Sequence, residues 1–213
     1  MPSSSPLPSE VRTPRLLLRR QRPDDATLIK DAVDASLEHL KASVAWARTA
    51  PFPLAALVSR LADSAASFDA GDEWVFTIFD SAETRVLGAA ALEPGDGALT
   101  ALVGADVFEA GYWLRTDATG RGFATEATAA LIDMAFARLG ARRVAICHDP
   151  DNTASAGVPR RLGFRDVGTV TNETLPDRQA ADGTVRRATK VWVLASQPRS
   201  IASLAAGAFV CCP

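Results

Sequence analysis

The chain has 213 residues, 47% of them apolar and 23% charged, with a formal net charge of −2. That length buries a sizeable core in one large or two small domains, and no basic stripe of the kind that grips nucleic acid is written in it. Three cysteines, two of them adjacent at Cys211 and Cys212, make no disulfide framework, and no Cys/His spacing fits a zinc site.

The opening residues, Met1–Glu10, are rich in Pro and Ser and lack the charged-then-apolar order of a signal peptide. They read as part of a flexible tail over residues 1–12, followed by one domain over 13–195 and a C-terminal tail over 196–213. Arg15–Arg20 reads as a strand. Asp24–Trp46 carries Leu28, Ile29, Ala32, Val33, Leu37 and Leu40 at helical spacing, with Asp24 or Asp25 as its cap. Pro51 and Pro53 punctuate, and Leu54–Phe68 repeats the helical pattern up to Gly71.

The period then changes. Glu73–Asp80, Arg85–Leu92 and Ala98–Val103 read as successive strands, with Pro94-Gly95-Asp96-Gly97 as a turn, and Phe108–Arg115 as the fourth central strand. Ala124–Gly140 is the strongest helix, with Ala127, Leu131, Met134, Ala135 and Leu139 on one face and Gly140 as its stop. Arg142–His148 reads as a strand and Asn152–Leu162 as a short helix. Phe164–Thr171 and Val185–Ala195 close the pattern as strands. This order predicts a mixed sheet with helices on it, an α/β (α+β) class. No run reaches the roughly 20 apolar residues that cross a bilayer. The apolar stretch Ile201–Cys212 reads as a docking strand, a dimer contact or a tail without function, the last two favoured equally.

The chemistry concentrates where the fourth central strand meets the strongest helix. Between Thr116 and Ala127 two glycines, Gly120 and Gly122, stand one residue apart at the helix start. Such a turn aims unpaired N–H groups at one point, and the helix dipole adds partial positive charge there. A diphosphate suits that site. Small residues at Gly120, Gly122 and Ala124 admit its oxygens, and Arg121 adds a charged contact at the rim. By itself Gly-x-Gly is equally well a tight turn with no ligand. A Rossmann fingerprint would need a third glycine where Thr125 stands. A Walker loop would need Gly-Lys-Ser/Thr, which the sequence lacks.

A second block, Asp149-Pro150-Asp151-Asn152-Thr153-Ala154-Ser155, follows a strand, and Leu162-Gly163-Phe164 ends the helix after it. With GYWL at Gly111–Leu114 and GRGFATEA at Gly120–Ala127, these segments resemble the GNAT superfamily of N-acetyltransferases. Within it they resemble the RimJ/RimL branch, which acetylates N-terminal amines of ribosomal proteins. Thr13–Arg19 and Ser36–Leu40 are similar to that branch too, so the likeness spans about residues 13–195.

The resemblance implies a GNAT fold with about seven strands, splayed between the fourth and fifth, and about four helices. It implies acetyl-CoA as co-substrate, no metal, a cytoplasmic setting, and a primary amine as acceptor: a protein N-terminus or a small molecule. The pantetheine arm would lie along the backbone of Leu114 and Thr116. Thr119, Gly120, Arg121, Gly122, Phe123, Ala124 and Thr125 would hold the diphosphate. Asn152 would bond the pantetheine or an ordered water. Ser155, or water held by it, is the candidate donor to the departing thiolate. Backbone N–H groups at a bulge near Trp113–Leu114 would stabilise charge on the thioester oxygen.

The base is left open between Glu173 and Glu109, while Glu38, His39 and Trp46 would border the substrate groove. For each charged candidate an ordinary solvated surface charge is the heavier alternative, and for His148 a packing role. A homodimer is one expected partner state. A CoA-binding module with weak chemistry, acting as a sensor, is the competing function.

The sequence departs from the branch in three places. Thr119 stands where Arg or Gln is common. Gly157 and Pro159 interrupt the short helix, so a kinked or late-starting helix is expected. Lys41–Trp46 replaces an early Pro-Trp.

Overall fold

The computed structural model describes residues 7–42, 44–171, 173–175 and 188–196. The C-terminal run from residue 197, including Cys211 and Cys212, lies outside the described residues. One eight-stranded sheet organises them, in the order β1-β2-β3-β4-β5-β6-β8-β7. The strands are β1 (Glu10–Arg12), β2 (Leu16–Arg20), β3 (Trp74–Asp80), β4 (Val86–Pro94), β5 (Val107–Leu114), β6 (Arg143–His148), β7 (Arg165–Thr171) and β8 (Ala188–Ala195). All neighbours run antiparallel except β5 and β6. Six α-helices accompany them: α1 (Ala26–Asp34), α2 (Leu37–Lys41), α3 (Leu54–Ala70), α4 (Gly97–Val103), α5 (Phe123–Arg138) and α6 (Thr153–Arg161).

Alternation along the strands builds two packed faces. On one, Leu16, Leu18, Phe76, Ile78 and Leu92 meet Ala127, Leu131 and Ala135 of α5. On the other, Leu17, Phe79 and Val86 meet Ile29 and Val33 of α1 and Leu57 and Leu61 of α3. A smaller cluster of Leu99, Val107, Ala145, Leu175 and Val191 lies beneath α4.

Four sequence expectations need correction. Ala98–Val103 is helix α4, not a strand: the Asp96 carboxylate caps it by accepting Leu99 N–H at 2.6 Å, and Leu99 is fully buried. A six-residue apolar run fits either period, and the cap decided. The stretch Asp24–Trp46 is not one helix but α1, α2 and two short 3-10 turns, Pro23–Asp25 and Ala45–Thr49. Asp25, expected as a cap, instead pairs its carboxylate with Arg19. The ordered domain also begins before residue 13, because Glu10–Arg12 pairs with β2 and Leu7 is buried. Finally α6 starts directly after Asn152 and carries Pro159 inside it, so no late start occurs. The other helix boundaries follow the reading closely; α3 ends on Gly71 in the left-handed region, at φ 82°.

Candidate active site

Strands β5 and β6 are paired only at Val107/Arg143, Phe108/Val144 and Glu109/Ala145. Beyond Glu109 they part, so Ala110–Leu114 has β4 on one side and a gap on the other. Arg115 N–H donates to Leu87 C=O on the β4 side at 2.9 Å. Main-chain groups alternate along a strand, so those of Ala110, Tyr112 and Leu114 face the gap. The expected splay is present, and Leu114 is on the correct edge for an added strand-like ligand.

Thr116 is not. Its N–H donates to Ser36 Oγ at 3.1 Å, and its carbonyl accepts from Thr119 N–H at 3.2 Å and Thr119 Oγ1 at 2.7 Å. Both main-chain groups expected to bind an arm are engaged inside the protein. The bulge expected near Trp113–Leu114 is displaced as well. The β4–β5 register runs unbroken, and the irregularity falls where β4 faces Ile78/Phe79, leaving Leu87 as the extra residue. Gly88 beside it must lack a side chain: a Cβ there would stand 2.0 Å from the Trp113 carbonyl oxygen.

Past Leu114 the chain makes a 3-10 turn over Thr116–Ala118 and reaches the exposed loop Thr119–Gly122. Gly120 and Gly122 have φ of 71° and 80°, a region glycine enters without strain. Gly122 is the N-cap of α5 and supplies no side-chain cap. The N–H groups from Gly120 to Thr125 find no acceptor among the described residues. Nothing lies within 4 Å of a Cβ built on Gly120. Free donors, an open approach and the positive end of a 16-residue helix meet here. The residues present fit a diphosphate.

The loop is braced from behind by residues the motif did not advertise. Glu126 Oε1 accepts from Thr13 Oγ1 at 2.6 Å and Arg15 N–H at 2.9 Å, while Oε2 accepts from Arg15 Nε at 2.6 Å. Arg15 Nη1 also donates to the Arg121 carbonyl at 2.9 Å. Partial burial pushes the Glu126 carboxyl up, but the bonds from Thr13 and Arg15 outweigh it and hold the group below its usual value. Arg121 stacks its guanidinium 4.8 Å from the Phe123 ring centre and has no carboxylate partner among the described residues, which leaves its charge available at the rim.

Across the gap, Asn152 caps α6: its Oδ1 accepts from Ser155 N–H at 3.0 Å. Its Nδ2 has no partner among the described residues. Tyr112 Oη donates to the Ser155 carbonyl at 2.9 Å and stands 3.1 Å from Ser155 Oγ. Burial pushes the Tyr112 hydroxyl up to about 12, against smaller opposing effects of Ser155 and Arg161. Arg161 leans over Gly157, its Nη1 3.1 Å from where a Cβ would be, and reaches Thr125 Oγ1 at 3.5 Å. It thus brings a cation from the end of α6 to the first turn of α5. Sequence order hid this, because Thr125 and Arg161 lie on separate elements.

The remaining candidates are dispersed. Glu173 sits exposed in the turn after β7, at the sheet end where β5 and β6 part. Glu109 is buried on β5, opposite Glu93. Glu38 and His39 are exposed on α2, Glu38 pairing with Lys41 at 3.4 Å. Trp46 packs edge-on against Trp113 with ring centres 5.7 Å apart, bringing the α2 region against β5. His148 is buried and bonded on both ring nitrogens, Nδ1 to Asp149 C=O at 2.7 Å and Nε2 from Trp192 Nε1 at 2.9 Å.

A family model for the acetyltransferase (GNAT) domain matches residues 15–165. The chain belongs to the GNAT acetyltransferase family. The matched model is that of an acetyltransferase domain, and enzymes of this family use acetyl-CoA as co-substrate. Over 60 residues the chain is 43% identical to YdaF of Bacillus subtilis (strain 168), which carries the name of a ribosomal N-acetyltransferase. That match spans 28% of this chain and 33% of YdaF, about a third of the relative's own length.

Solved structures share the fold over most of their length. The microcin C7 self-immunity acetyltransferase MccE, in complex with acetyl-CoA and AMP, superposes with a TM-score of 0.75 at 20% identity, covering 90% of this chain and 99% of that one. RimL, the ribosomal L7/L12 α-N-protein acetyltransferase with coenzyme A, gives 0.72 at 18%, covering 87% and 97%. Mycobacterium smegmatis RimJ gives 0.70 at 23%, covering 90% and 89%. No helix among the described residues is long and apolar enough to cross a membrane.

Proposed function

We propose that this GNAT domain transfers the acetyl group of acetyl-CoA to a primary amine, with a protein N-terminus as the preferred acceptor. The observation that carries it is the run of N–H donors from Gly120 to Thr125, without an acceptor among the described residues, at the mouth of the β5/β6 gap. The diphosphate is assigned to those donors, with Arg121 and Thr119 at the rim. The pantetheine arm is assigned to the gap-facing main chain of Leu114 and its neighbours, and to Asn152 Nδ2. RimL and YdaF, both named for ribosomal substrates, favour a ribosomal-protein terminus over a small amine.

The reaction needs a neutral amine, a polarised carbonyl and a proton for the thiolate. An amine near neutral pH is mostly protonated, so a base must act first. Glu173 is assigned that role, exposed at the open end of the gap. Ser155 is assigned the donor role. Burial keeps the Tyr112 hydroxyl protonated near neutral pH, so it serves as a hydrogen-bond donor to Ser155 and not as the base. Glu38, His39 and Trp46 are assigned to the acceptor groove, with a cytoplasmic setting. A homodimer belongs to the same reading.

Thiol release from acetyl-CoA, measured against peptides with varied first residues and against aminoglycosides and polyamines, tests the proposal. Turnover well above hydrolysis for a subset of peptides supports it. Coenzyme A binding without turnover of any amine would establish the sensor reading instead.

A further inference from the structure

In an α-helix the N–H of each residue bonds the carbonyl four positions earlier. Pro159 has no N–H, so within α6 the carbonyl of Ser155 loses its regular donor. That carbonyl is half-buried at the first turn, where an unmet acceptor is costly. The missing donor comes from another element: Tyr112 Oη, on β5, donates to it at 2.9 Å. A phenol has one proton, so the second contact, at 3.1 Å, runs from Ser155 Oγ–H to Tyr112 Oη. One side chain therefore fixes both the carbonyl and the hydroxyl of Ser155. Tyr112 stands on one wall of the gap and α6 follows the other wall, β6, so the bond also sets the spacing between them.

We propose that Tyr112 is a positioning residue, its hydroxyl standing in for the main-chain donor that Pro159 denies to Ser155 and so holding the first turn of α6 against β5. The role rests on the acetyl-transfer reading above, whereas the bridge itself does not. Tyr112 acts through Ser155 and Asn152 rather than on the reacting atoms. Its need is created by Pro159, and an alanine at 159 restores the regular helix bond and removes the need.

The test is a double-mutant cycle over Tyr112→Phe and Pro159→Ala, read by thermal unfolding and by acetyl-CoA turnover across pH. Tyr112→Phe alone is expected to lower Tm and reduce kcat on the order of tenfold with KM for acetyl-CoA nearly constant, as for a misplaced catalytic group. Pro159→Ala alone keeps wild-type turnover, and the double variant recovers most of the lost kcat and Tm. A Tyr112→Phe loss of kcat that Pro159→Ala does not restore would overturn the proposal, since it makes the phenol a direct proton donor. Unchanged Tm and kcat in Tyr112→Phe would overturn it too. If the wild-type protein turns over no amine, the acetyl-transfer reading fails, and the thermal cycle decides the bridge alone: coupling supports it and additivity overturns it.

Discussion

Ser36 Oγ accepts the N–H of Thr116 at 3.1 Å, across 80 residues of chain. Ser36 is buried at the break between α1 and α2, and Thr116 opens the turn that leads to the Thr119–Gly122 loop. The groove assigned to the acceptor and the loop assigned to the cofactor are thereby joined by one hydroxyl. The first helical region is interrupted at this bond: Ser36 leaves helical geometry, at φ −128°, and its side chain holds the turn that follows β5.

Ser36→Ala removes that acceptor and leaves a half-buried N–H unmet, a cost of about 1–3 kcal/mol. Thermal unfolding is expected to show a lowered Tm, and steady-state kinetics a larger rise in KM for the amine than for acetyl-CoA. An unchanged Tm would show that the bond contributes nothing to holding the two halves together.

Thr125→Glu sets a carboxylate in the first turn of α5, where the helix dipole favours it and Arg161 is within reach. The fold is expected to hold while coenzyme A affinity, measured by calorimetry, falls by an order of magnitude or more, because the new charge faces the diphosphate. Gly122→Glu would give the same loss but mixes in backbone strain, since φ at Gly122 is 80°. Full affinity in the Thr125 variant would remove the loop assignment.

Asn152→Ala deletes both the α6 cap and the Nδ2 group, whereas Asn152→Asp keeps a capping oxygen and exchanges the donor for a negatively charged acceptor. The first is expected to cost about 0.5–2 kcal/mol of stability together with cofactor affinity. The second is expected to retain stability yet still bind acetyl-CoA poorly. Equal binding by wild type and Asn152→Asp would count against an Nδ2 contact.

Glu126 gives a pH signature. Its folded-state value is depressed, so its contribution is present above the ordinary carboxylate range and is lost as pH falls through the folded value. The stability difference between wild type and Glu126→Gln should therefore be largest near neutrality and shrink on acidification below about pH 4. A difference independent of pH would mean that Thr13 and Arg15 do not discriminate the ionised carboxylate.

Much of the frame was legible because local rules govern it. The apolar run of Glu73–Asp80, short and bounded by turn residues, and the helical face of Ala124–Gly140 report burial directly: β3 is buried on both faces and α5 on one. The two glycines before α5 announced the open turn, because a left-handed turn at a helix start frees N–H groups whatever surrounds it. Ala98–Val103 was not legible by period, and only the Asp96 cap marked it as helix.

Sequence alone thus determined the family segments, the order of most elements and the glycine turn that opens α5, all of which follow from contacts between near neighbours in the chain. Tertiary structure decided how that loop is braced by Thr13 and Arg15, how Ser36 engages Thr116, and how Tyr112 meets Ser155. These depend on directional hydrogen bonds between residues far apart in the chain, and a donor's partner is fixed only when the sheet brings both to one place.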